Sequence, residues 1–114
     1  MKNYLKYIFL LPVLIFSFEF CFAQKKVIDS LNAIIKNVKD DTFKMNRLNE
    51  LSWEHLKLGN SDSAISIANR ALLIANSVSK FDAQMGSAHS FSNIAMGNAD
   101  KGNFADAITN FLKA

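Results

Sequence analysis

The sequence predicts an all-α protein: antiparallel helix hairpins, repeated and stacked as an α-solenoid, preceded by a signal-peptide helix. Three observations lead there. Apolar residues recur at helical spacings from Val27 to the last residue. A Gly-Asn pair followed four residues later by Ala occurs twice, 43 residues apart. Residues 1–23 differ sharply from the rest, holding five of the ten Phe, both Tyr, the only Pro and the only Cys.

That first segment has the layout of an export signal. Lys2 and Lys6 give a basic start, Ile8 to Phe18 is an unbroken apolar run, and Cys21-Phe22-Ala23 offers a small-x-small exit before Gln24. Eleven helical residues span only about 16 Å, half the hydrocarbon core of a bilayer. Glu19 interrupts any extension, and a carboxylate at mid-bilayer costs about 2.5–3.5 kcal/mol. Phe18-Glu19-Phe20 before Cys21 does not resemble a lipid-attachment site. The expectation is an exported chain, periplasmic or secreted; the alternative is a chain anchored to the membrane by an uncleaved leader. Removal after Ala23 leaves 91 residues, with 11 basic against 9 acidic and neither Cys nor Pro. One small domain fits, and a disulfide framework does not.

The elements follow in order. Val27, Ile28, Leu31, Ile34, Ile35 and Val38 form one stripe on a first helix. Asp40-Asp41-Thr42 ends it and offers capping oxygens to the next. The second helix is expected over 43–58, the third over 61–79 and the fourth over 81–101; a fifth starts near Phe104. Gly59-Asn60 and Gly102-Asn103 stop the second and fourth. The corresponding divisions are a signal peptide at 1–23, an N-terminal helix and linker at 24–42, and repeat units at 43–79 and 80–114.

Self-comparison supports that division. The run from Gly59 to Ser66 (GNSDSAIS) matches the run from Gly102 to Thr109 (GNFADAIT), and Arg70-Ala71 falls over Lys113-Ala114. Asn60 and Asn103 are expected to cap the following helix with their side chains. Ala64 and Ala107 stand where paired helices approach most closely, and Ala71 at the junction with the next unit. Such hairpins cannot bury their stripes alone, so they stack.

These residues resemble the tetratricopeptide repeat family, in the lengthened form found in extracytoplasmic bacterial sensor kinases and regulators. Gly102 to Ala114 looks like the second half of such a repeat, with Phe91, Ile94 and Ala95 in the places of the first helix. Leu48, Leu51, Ser52 and His55, then Ala64, Ala68 and Ala71, take those places in the earlier unit. Asn98 and Ser61 depart from the usual aromatics, and 43 residues exceeds the usual 34. The resemblance implies right-handed stacking and a concave groove lined by Asn49, Trp53 and Leu56, then Ser92, Met96 and Ala99. An unrelated helical bundle is the alternative fold. Trp53, the only Trp, has two readings: it faces the groove, or it packs on the preceding helix over Ile34, Ile35 or Val38.

Little else carries chemistry. His55 and His89 form no H-E-x-x-H arrangement. Glu50 and Glu54 share a face, but Arg47 and Lys57 lie three residues away, so they read as a solvated charged surface. No glycine-rich phosphate loop, catalytic serine motif or basic-aromatic stripe occurs, so no cofactor, metal or nucleic acid is implied. The expectation is a non-catalytic module that binds a protein or peptide. Its alternative is the N-terminal sensor part of a longer signalling protein. Ala107, Ile108, Phe111 and Leu112 lack a covering helix in the sequence, so self-association through the last helix is expected.

Overall fold

The computed structural model describes residues 2–114, with side chains from Tyr4 onward. Met1, and the side chain of Lys2 from the leader's basic start, lie outside the described residues. Helix α1 spans Lys2–Asn37, α2 Thr42–Lys57, α3 Ser61–Ile74, α4 Lys80–Asp100 and α5 Phe104–Lys113, with a 3-10 turn at Ala75–Ser77. No strand occurs among the described residues.

The expected separate helix starting near Val27 is corrected by this architecture. Leader and first packed helix form one continuous α1, because no Gly or Pro lies between Ala23 and Val27 to break it. The third helix also ends earlier than its apolar pattern suggests. It gives way at Ala75-Asn76-Ser77, where Ser77 Oγ donates to the Ile74 carbonyl at 2.8 Å, a local bond that competes with helix continuation.

Side-chain caps start two helices. Asp41 accepts from the Lys44 N–H at 3.1 Å to open α2, and Ser79 accepts from the Asp82 N–H at 3.2 Å to open α4. The capping roles expected of Asn60 and Asn103 are not realised: neither side chain accepts a helix N–H. Their backbones sit at ψ 62° and 64°, whereas capping Ser79 is extended at ψ 152°. That turn places the side chain away from the free amides.

Their backbone N–H groups instead close the preceding helix. Asn60 donates to His55 O and Gly59 to Leu56 O, both at 2.9 Å. Asn103 donates to Asn98 O at 2.8 Å and Gly102 to Ala99 O at 2.9 Å. Each pair is a Schellman closure, which needs a left-handed residue at the bend. Gly59 and Gly102 supply it at φ 75° and 79°. The two bends also touch: Ser61 Oγ donates to Asp100 at 3.5 Å and Lys101 pairs with Asp62.

Packing joins each helix to its neighbour: α1 to α2, α2 to α3, α3 to α4 and α4 to α5, with α2 also against α4. The main core gathers Leu31 and Ile35 of α1, Met45, Leu48 and Leu51 of α2, and Ile67, Ala71 and Ile74 of α3. Elsewhere small residues fill the interior, with Ala64 and Ala68 of α3, Ala95 of α4 and Ala107 of α5 all buried. Small side chains permit short interaxial distances. At Gly97 a side chain would come within 2.7 Å of Ile65 Cγ1, so those helices meet backbone to side chain. Ala107 is thus covered by α4, a correction to its inclusion in the bare C-terminal stripe; Ile108, Phe111 and Leu112 of that stripe are exposed.

A Cβ at Gly59 would meet nothing within 4 Å, so Gly59→Ala tests the bend conformation alone. It should lower unfolding free energy by about 1–2 kcal/mol in chemical denaturation, the left-handed penalty of an L residue, with unchanged helix content by circular dichroism.

Candidate functional site

Helices α2 and α4 run side by side in the same direction. Thr42, at the start of α2, donates to the Asp82 carboxylate at the start of α4 at 3.1 Å. Two turns further on, the Asn49 side-chain amide donates to the Gly86 carbonyl at 2.9 Å. Ser90 Oγ donates to Asn49 Oδ1 at 2.8 Å, and Asn93 Nδ2 donates to the Asn49 backbone carbonyl at 3.0 Å. This ladder of buried polar groups fixes the register between the two helices. Close approach is possible because residue 86 is Gly; any Cβ there would collide with the fully buried Met45 side chain.

The pair encloses a groove of about 780 Å³. Trp53 and Met96 lie along it with Phe81 and Met85, while Asn46, His89 and Ser92 contribute polar groups. One pair of its charges is compensated in place: Arg47 pairs with Glu50 at 2.7 Å and is further held over the Phe43 ring at 5.2 Å. The Asp82 carboxylate is hydrogen-bonded by the Thr42 and Ser79 hydroxyls and keeps its charge. The surface therefore presents apolar area, neutral hydrogen-bonding groups and one carboxylate.

The sequence-derived groove residues divide into three kinds. Trp53, Ser92 and Met96 line the open groove, with Trp53 42% exposed. Asn49 reaches only its floor: it is 7% exposed, and both ends of its amide are engaged within the fold. Asn49, expected to line the groove, thus supplies its floor and has no free amide to offer a partner. Leu56 lies outside the groove, buried at 8% exposure. The two readings of Trp53 both describe part of its surroundings. One side faces the α2–α4 groove; the other lines a second groove, about 480 Å³, with Val27, Ser30 and Ile34 of α1. Trp53 is a ridge between the two.

Sequence reasoning missed Phe81, Met85 and His89, which enter the groove from the first half of α4. They recur at spacings of four, which places them on one helical face. Among the described residues, no three His, Cys, Asp or Glu side chains converge as a metal site. His55 is half-buried, with Nδ1 lacking a hydrogen-bond partner.

The apolar part of α1 presents a different surface. Every side chain from Tyr4 to Ala23 is exposed, and the helix is long and apolar enough to cross a membrane. Its length, composition and N-terminal place are compatible with a signal sequence or a membrane anchor.

Comparison with family models, with curated proteins and with solved structures finds no match.

The ladder yields a stability test. Asn49→Ala removes the two side-chain bonds from α2 to Gly86 and Ser90, although Ser90 keeps its own bond to the Gly86 carbonyl, and should cost about 1–3 kcal/mol in urea unfolding. Ser92→Ala, on the open groove wall, should stay within about 0.5 kcal/mol of the parent.

Proposed function

We propose that the chain from Gln24 onward is a non-catalytic module of the tetratricopeptide type that holds an extended peptide or protein segment in the α2–α4 groove. The observation that carries this reading is the groove itself: two parallel helices locked in register beneath an uncommitted face bearing Trp53, Met85 and Met96. Repetition supports it. The Schellman bends at Gly59 and Gly102 make equivalent hydrogen bonds 43 residues apart, and small residues lie at equivalent helix contacts, Ala64 and Ala107. Stacking of such units is right-handed in the family the sequence resembles, and the side-by-side α2 and α4 are what that stacking requires of successive first helices.

An extended segment suits the chemistry. Its apolar side chains bury against Trp53, Met85 and Met96, and its backbone meets Asn46, His89 and Ser92. The Asp82 carboxylate in the wall, held by hydroxyls alone, disfavours an acidic segment. The exposed leader supports export: read as a signal removed after Ala23, it leaves a folded part that acts in the periplasm or beyond.

Selection of a random-peptide phage library on the immobilised exported protein tests the reading. Enriched peptides should lose affinity about tenfold or more to Trp53→Ala and none to Leu73→Ala, which removes an exposed apolar side chain on α3. Equal loss with both variants, or peptides indifferent to Trp53, would refute the assignment of the groove.

A further inference from the structure

The exposed and packed halves of α1 meet at Ala23–Gln24. Side chains from Tyr4 to Ala23 are all exposed. Gln24 is the first to turn partly inward, lying beside Leu58, and Ile28 is the first to pack against the core. Lys25, Lys26 and Val27 between them are exposed. Cutting after Ala23 therefore removes no core contact and leaves one loose turn ahead of the packed helix.

We propose that Gln24, once freed as the first residue, closes on itself to form pyroglutamate. This rests on the export reading above, since only cleavage exposes its α-amine. The freed α-nitrogen attacks Cδ of the residue's own side-chain amide. A bond forms between the α-nitrogen and Cδ, and the Cδ–Nε2 bond breaks. The proton lost by the amine goes to the departing nitrogen, which leaves as ammonia. The product is a five-membered lactam, and no oxidant or second reactant is needed.

Three features of this chain favour the closure. The turn from Gln24 to Val27 can uncoil without opening the core, so the side-chain amide can reach the α-amine. An α-ammonium would stand at the positive end of the shortened α1, whose free N–H groups repel a cation; the lactam is neutral. Lys25 and Lys26 adjoin that amine, and like charges favour the unprotonated form that the attack requires.

The test is the intact mass and stepwise N-terminal sequence of the full-length gene product, recovered after export from a bacterial host and held at neutral pH. The expected product covers residues 24–114, is lighter by one ammonia, and resists stepwise degradation until pyroglutamyl aminopeptidase unblocks it. Gln24→Ser should be cut at the same bond and give a readable terminus. A product that begins at an open, unmodified Gln24 overturns the cyclisation and leaves the export reading standing. A chain cut at another bond also overturns the cyclisation. A chain that retains Met1 overturns both.

Discussion

Hydrogen bonds centred on one buried residue, Asn49, hold the groove's two walls together. Asn49 donates to the Gly86 carbonyl, accepts from Ser90, and receives Asn93 on its own backbone carbonyl. Buried polar groups are costly unless fully satisfied, and once satisfied they specify one arrangement. Sliding α4 by one residue along α2 would strand the Asn49 and Asn93 amides together, while Ser90 keeps the Gly86 carbonyl. The slide would also bring a side chain against Met45 where Gly86 now lies. The position of Trp53 relative to Met96 follows from this register.

Close approach and hydrogen bonding depend on each other here. Asn49 reaches the opposite backbone only because Gly86 has no side chain, and Met45 fills the space that a Cβ would take. Three turns further along the same side of α4, Gly97 accepts Ile65 of α3 in the same manner. Small residues thus set the spacing, and polar side chains set the register. Ser52 follows the same logic between α2 and α3, where its hydroxyl donates to the Ala64 carbonyl at 2.8 Å.

Much of this architecture was legible in the sequence, and what was missed has definite causes. Gly59 and Gly102 announced their bends because only glycine enters the left-handed region without penalty. The helical stripes of α1, α2 and α3 named Leu31, Ile35, Leu48 and Leu51 in advance of the core. Asn60 and Asn103 misled because residue type indicates capacity to cap, whereas the backbone dihedrals decide whether the side chain reaches an amide. Asn49 misled for a related reason. The family resemblance implied a place on the face toward the groove, but its depth depends on Gly86, which is 37 residues away. Met85 and His89 went unread because α4 carries apolar residues on several faces, so no single stripe marks the one that lines the groove.

The unequal attachment of the helices has a kinetic consequence. Helix α5 rests chiefly on α4, through Ala107 and a contact of Lys113 Nζ over the Phe91 ring at 5.6 Å. Helix α2, by contrast, is gripped by α1, α3 and α4. Opening of α5 leaves the main core shut, so among the packed helices amide protection should be lost first in α5 and last in α2. The Asn49 junction is thereby left among the slowest parts to exchange.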